Sequence, residues 1–191
     1  MAVVAGRHQL GPGRGRILLR TFRDGLAAQA GHDLTVEATR WSGDLRVNDD
    51  LSPASLEVHI DLVALVVRDG TGGVKPLTDR DRREIAVTTR KVLRTDQHPE
   101  AVFAADSFRP AAGGGEVSGT LTLRGQERPL SLQVKQTGAD RYYAETQIVQ
   151  SDYGIKPYTA FLGALRVRDA VDVAVELDLS DLAADLGTGH D

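Results

Sequence analysis

Along several stretches of this chain apolar and polar residues trade places one by one, and that two-residue period limits what the chain can build. Leu56, Val58, Ile60 and Leu62 alternate with Ser55, Glu57, His59 and Asp61. Val171, Val173, Val175, Leu177 and Leu179 alternate with Asp172, Ala174, Glu176, Asp178 and Ser180. Successive side chains of a strand point to opposite faces, so each stretch has one face to bury and one to wet. Val117, Gly119, Leu121 and Leu123 run into a break at Arg124-Gly125-Gln126-Glu127-Arg128-Pro129, and Leu130, Leu132 and Val134 resume the period. Gly125 can take φ > 0 where the chain reverses, and Pro129 suits the start of a returning strand. Those residues predict a β-hairpin. Parallel sheets buried on both faces give continuous apolar runs instead, so the fold class is all-β and mainly antiparallel.

Leu34, Val36 and Ala38 occupy even positions, whereas Trp41, Gly43, Leu45 and Val47 continue on odd ones. The parity change at Arg40-Trp41 predicts one inserted residue, a β-bulge bending one long strand. Further strands fit Gly15–Thr21, residues 101–108 and Arg141–Val149. Over residues 78–93 the alternation stops and Ile85, Thr88 or Thr89, and Val92 take helical spacing. Thr78 with Asp81 is an N-cap signal, and Arg90 and Lys91 suit the far end of the helix dipole. So weakly apolar a helix predicts a place outside the wall or over an opening, not a core layer.

At 191 residues, with no repeat or long linker, the chain suits one domain over 15–180, between an N-terminal extension (1–14) and a tail (181–191). Cysteine is absent, which removes disulfides, thiol catalysis and thiolate metal sites. A net charge of −4 disfavours nucleic acid as a partner. The apolar start Met-Ala-Val-Val-Ala-Gly is shorter than the roughly 7–15 residues of a signal-peptide core. The longest apolar run, 62–67, is far short of the roughly 20 residues of a membrane helix. The expectation is a cytoplasmic protein with no integral membrane segment, capable of homodimerising. A processed or incomplete N-terminus would instead allow a periplasmic or secreted one.

Reaction chemistry is weakly represented. His32 and Asp33 are neighbours on a strand and face opposite ways; a polar turn closed by Asp33 fits better than an acid–base pair. His59 and Asp61 share a face with Glu57, but an exposed sheet surface explains them better than a metal site. Ser151-Asp152 lacks a nucleophile elbow, and Asp152 suits a bond to the turn before Tyr153-Gly154. Arg124 and Arg128 flank the hairpin turn as solvated residues, and His98-Pro99 marks the turn from helix to strand. No catalytic residue, metal or cofactor is called for, and the chain does not read as an enzyme. Glu145, on a less regular strand, stays unassigned.

Four ordered motifs carry a family likeness. Gly31-His32-Asp33-Leu34 leading into Trp41-Ser42-Gly43-Asp44-Leu45 is the first, and Asp96-Gln97-His98-Pro99-Glu100-Ala101-Val102-Phe103 the second. The third is the hairpin of Gly119 to Leu132, and the fourth Gln150-Ser151-Asp152-Tyr153-Gly154-Ile155 followed by the closing strand of Val171 to Leu179. Together they resemble the YceI-like family of polyisoprenoid-binding proteins over about residues 15–180. That resemblance implies an eight-stranded, lipocalin-like antiparallel barrel whose apolar interior holds a long isoprenoid, quinone or acyl chain, as carrier or sequestering protein. A barrel of this size is either filled or just wide enough for one slender ligand. With 4 Phe, 1 Trp and 4 Tyr in the chain, and Gly43 and Gly119 facing inward without side chains, the balance leans towards a cavity. The alternative is a filled core serving as an interaction or stress-response module.

The apolar faces name the candidate lining: Leu34, Val36, Leu56, Val58, Ile60, Phe103, Leu121, Leu123, Leu130, Leu132, Val134, Val171, Val173 and Val175. On this reading Val58→Phe or Leu132→Phe should narrow the tube.

Overall fold

The computed structural model describes residues 4–180. The strands are β1 (Gly6–Leu10), β2 (Gly15–Thr21), β3 (Arg23–Asp24), β4 (His32–Ala38), β5 (Trp41–Val47), β6 (Pro53–Asp61) and β7 (Leu65–Gly72). After the helix α1 (Asp79–Leu93) come β8 (Glu100–Ala111), β9 (Gly114–Leu123), β10 (Gln126–Gln136) and β11 (Arg141–Val149). The last are β12 (Thr159–Ala160), β13 (Leu165–Val167) and β14 (Ala170–Asp178). One 11-stranded antiparallel sheet runs β1-β5-β6-β8-β9-β10-β11-β14-β2-β4-β7, and β12-β13-β3 form a small second sheet.

The large sheet holds eleven segments where eight strands are expected, and the difference lies at one corner. β4 pairs with β7 up to Ala38 opposite Leu65, and β5 pairs with β6 from Trp41 opposite Ile60. Across the break Thr39 N–H donates to Ala64 O at 3.2 Å and Asp61 N–H to Arg40 O at 3.1 Å. So β4–β5 and β6–β7 are the bent arms of one long hairpin. β1 lies along β5 as β2 lies along β4. These bends bring the two ends of the strand order together and curl the sheet strongly into a barrel-like wall.

The parity change at Arg40-Trp41 is therefore not a one-residue bulge in a single strand. Thr39 and Arg40 face residues 61–64, and the additional residues sit on the partner, in the 3₁₀ turn Leu62–Ala64. Asp61 caps that turn, its carboxylate accepting Val63 N–H at 2.8 Å. Gly6–Leu10, placed outside the domain by the sequence pattern, is a strand of the sheet. The expected tail, 181–191, lies outside the described residues.

The helix starts as its sequence dictates. Thr78 Oγ1 accepts Asp81 N–H at 3.2 Å while the Asp81 carboxylate accepts Thr78 N–H at 2.8 Å, a reciprocal capping box. It bridges β7 to β8, which are not paired with each other among the described residues. Arg82 donates to Arg68 O at 2.9 Å, so the helix takes up a carbonyl of the otherwise unpaired β7 edge. No helix residue is fully buried.

At the end of the wall remote from α1 the interior is packed. Leu10, Trp41, Leu45, Val47 and Leu179 are buried together, with Tyr142 and Leu177 against them. The two inward glycines do not hollow this region. A Cβ on Gly119 would lie 2.1 Å from Ala104 O, so its absence lets β8 and β9 approach. At Gly43 the space is taken by Leu10 of β1, whose Cβ would lie 3.2 Å from a methyl group placed on the glycine.

Candidate functional site

The other end is hollow. A cavity of about 710 Å³ opens between the sheet, α1 and the small β3–β12–β13 sheet. This is within the range of about 300–1,000 Å³ typical of small-molecule sites. Its floor and walls are strand residues: Ile17 and Leu19 of β2, Leu34 and Val36 of β4, Ile60, Leu121, Leu123, Ile148, Val171 and Val173. Ile85, Thr88, Val92 and Leu93 close it from the helix, and Val74, Pro76, Leu77, Ile155, Tyr158, Leu165 and Val167 from the loops and small sheet.

Charge is confined to the rim, where Arg23, His32, Asp81, Glu84 and Arg166 are engaged with the protein itself and the Lys75 side chain is exposed. The Arg23 guanidinium donates to Gly31 O at 2.8 Å and Thr71 O at 3.2 Å. His32 Nε2 is 2.7 Å from Lys75 O. Arg166 pairs with Asp24 at 3.0 Å, and Glu84 with Arg80 at 2.8 Å. Hydrogen bonds from the Thr78 side chain and backbone hold the Asp81 carboxyl below its ordinary range. Gly25 N–H, and then Arg166, do the same for Asp24. Arg23 and His32 are seated where Gly72 and Gly73, at φ 80° and 72°, have no side chain: a Cβ there would overlap each of them.

The structure separates the residues named from sequence. Leu34, Val36, Ile60, Leu121, Leu123, Val171 and Val173 line the cavity. Leu56, Val58, Phe103, Leu130, Leu132 and Val175 do not; they belong to the packed clusters beneath and beside it. Val134 lies apart, in a shallow pocket beside the turn between β8 and β9. Alternation tells which face a residue occupies but not its height along the wall, and these residues sit at packed heights. The probes Val58→Phe and Leu132→Phe accordingly do not reach the cavity. The helix and loop contributors are missing from that lining: Ile85 and Val92 show helical spacing, whereas Val74, Pro76 and Tyr158 follow no period.

Other marked residues resolve into structure. Asp33 accepts Arg23 N–H at 2.8 Å, the turn-closing role expected of it. His59 bonds Glu57 at 2.9 Å and Glu100, across on β8, at 3.1 Å, and both carboxylates raise its pKa, Glu57 most. Arg124 is not a solvated turn residue: it is half-buried and donates to Gly154 O at 2.6 Å. Asp169 rather than Asp152 takes Ser151 N–H, at 2.8 Å. Glu145 faces outward and pairs with Lys135 at 3.1 Å. Among the described residues no group of three or more His, Asp or Glu is arranged to hold a metal ion. No helix among them is long and apolar enough to cross a membrane.

The YceI-like domain model matches residues 23–179, which hold the helix, most of the curled sheet and most of the cavity lining, but not β1 and β2. The chain belongs to the YceI-like family. Solved structures share the fold at low identity. BcnA of Burkholderia cenocepacia is 16% identical, with a TM-score of 0.55 over 85% of this chain and 94% of its own. A polyisoprenoid-binding domain from Saccharophagus degradans, implicated in plant cell wall breakdown, is 16% identical, with a TM-score of 0.56 over 91% of this chain and 97% of its own. The YceI protein of Campylobacter jejuni is 15% identical, with a TM-score of 0.55 over 75% of this chain and 82% of its own. Comparison with curated protein sequences gives no match. Relative to the expectation from sequence, the YceI-like assignment and antiparallel class stand, and the strand count changes.

Proposed function

We propose that this YceI-like protein binds one long apolar lipid, a polyisoprenoid, isoprenoid quinone or acyl chain, in the cavity at the helix end. It acts as a carrier or sequestering protein and not as an enzyme. The observation that carries this is the division of the cavity wall: apolar side chains line the depth and charged groups appear only at the rim. Each CH₂ taken from water into such a wall gains about 0.8 kcal/mol, so a tail needs no charged contact to be held. Binding of this kind tolerates variation in the tail. The binding named for the Saccharophagus degradans domain supports the same class of ligand. The rim argues against a reaction centre, since Arg23, His32, Asp81, Glu84 and Arg166 are each committed to structural bonds.

The test is organic-solvent extraction of the purified protein followed by lipid mass spectrometry, beside a native mass measurement. A lipid at a fixed stoichiometry is expected. Its loss should follow from Val171→Phe or Leu121→Phe, which place a ring in the cavity. A wild-type protein expressed among membranes yet free of lipid would overturn the proposal.

A further inference from the structure

Two turns at the open end break local rules together. Phe161 and Leu162 sit at φ 51° and 55°, a left-handed conformation that bulky apolar residues avoid. Both point to solvent: Phe161 is 66% and Leu162 109% exposed. The adjoining turn carries Leu26, 100% exposed. The turns are knit to each other, Ala27 N–H donating to Ala164 O at 2.8 Å, with Gly25 fitted against the same carbonyl. Asn or Gly at residues 161 and 162 would suit both the backbone and the solvent. Backbone strain and exposed apolar surface at one tip mark a functional surface better than a folding device.

This tip adjoins the cavity. Tyr158, Leu165 and Arg166, on the same hairpin as Phe161 and Leu162, line its mouth, and so does Val74, itself 80% exposed. The charge around the mouth is mixed: segments 22–31, 70–78 and 154–168 contain Arg23, Lys75, Lys156, Arg166 and Arg168 with Asp24, and Asp33, Asp69, Asp79 and Asp169 flank them. Two of the cations, Lys75 and Lys156, are exposed and have no side-chain partner among the described residues. Asp81 and Glu84 also face the cavity, from the helix, bonded to Thr78 and Arg80.

We propose that Leu26, Phe161 and Leu162 insert into an anionic lipid surface, so that the cavity mouth opens against the membrane. Apolar side chains enter the boundary while the exposed Lys75 and Lys156 meet lipid head groups, the combination by which a surface-bound protein is held. An apolar tail could then pass between bilayer and cavity without crossing water. The proposal rests on the lipid-binding reading above for its purpose, though not for the contact itself.

Co-sedimentation of the full chain with phosphatidylcholine vesicles, with and without phosphatidylglycerol, tests it. Binding should require the anionic lipid and weaken as salt rises. Leu26→Asn with Leu162→Asn should lower vesicle affinity by at least about tenfold. Both residues are fully exposed and Asn suits the left-handed backbone at 162, so the melting temperature should not fall and the co-purified lipid should stay at the wild-type value. Val171→Phe should bind vesicles like wild type while carrying less lipid. Lipid-loaded wild type that ignores the vesicles overturns the membrane contact alone; vesicle binding by a lipid-free wild type upholds it and removes the carrier reading. Dimers that dissociate in the double variant, with no vesicle binding by wild type, overturn it in favour of a second copy of the chain.

Discussion

The two ends of the curled sheet share most of their strands, yet one is solid and the other hollow. At the solid end β1 adds Leu10 beneath Trp41, Leu45 and Val47, and Tyr142 and Leu177 reach in from β11 and β14. At the hollow end the inward residues are Leu34, Val36, Leu121, Leu123, Val171 and Val173, with no large ring among them, and a helix with no fully buried residue spans the gap. A large aromatic side chain and an additional strand fill one end; short aliphatic side chains under a lightly packed helix leave the other open. The difference comes from side-chain volume and from what covers each end, an additional strand at one and a helix with loops at the other.

Truncation separates the ends most. Trp41→Ala empties the solid end and should cost about 3–5 kcal/mol, the range for a large buried aromatic. Leu34→Ala, on a half-buried side chain already facing a void, should cost only about 1–2 kcal/mol, below the range for a fully packed leucine. Denaturant titration of both variants gives the comparison directly. Similar losses would mean that the cavity is sealed and its wall as tightly packed as the core.

Insertion makes the opposite test. Val171→Phe should enter the cavity at a cost below about 1 kcal/mol, whereas Ala38→Phe, at a site 1% exposed, should show at least the usual overpacking penalty of about 1–3 kcal/mol. Thermal melts of the two, read with lipid content, check it. If Val171→Phe destabilises as much as Ala38→Phe while lipid loading is unchanged, the hollow end is not the ligand site.

How far the sequence reaches is clear from these same residues. The strands β6 and β14 stand in the alternation of Leu56 to Ile60 and of Val171 to Leu177, and the helix in Thr78 with Asp81. Each signal is local, carried by neighbours in the chain. The corner at Thr39-Arg40 differs from the expected bulge because its additional residues lie on the partner strand, and no period within β4–β5 can show them. The cavity is only half visible in the sequence for a related reason. Period two assigns Val58 and Val171 to the same face, but only the assembled wall puts Val58 at a packed height and Val171 at an open one. Val74 and the hairpin residues Tyr158 and Leu165 come from two distant segments and meet only in the folded chain.

The helix is the boundary between the two conditions, and its cap sharpens the contrast. Thr78→Ala removes the acceptor for Asp81 N–H and should cost about 1 kcal/mol. Because α1 is held over the gap by few buried contacts, most of that loss should appear as local opening. Hydrogen exchange should speed up at residues 79–84 and leave the β1–β5 pairing unchanged. Equal acceleration at both places would show that the helix and the solid end unfold as one unit.

The smallest effect lies on the outer face, where His59 sits between Glu57 and Glu100. The Glu57 hydrogen bond and then that of Glu100 raise its pKa above the ordinary 6.5 of a histidine. A group whose pKa is raised by folding stabilises the fold fully below its unfolded value and ceases to do so as pH climbs through the folded one. The contribution is therefore present below about pH 6.5 and disappears at higher pH, where the imidazole is neutral in both states. With the ring 40% exposed, solvent screening keeps the gain within about 1 kcal/mol. His59→Gln should thus be less stable than wild type at about pH 5.5 and nearly equal to it at about pH 9. NMR titration of the ring should give a pKa above the ordinary value, moving back towards it in high salt. Because the triad lies outside the cavity, lipid content should not change with it. A His59 substitution that altered lipid loading without altering stability would show that the outer wall and the hollow end are coupled rather than independent.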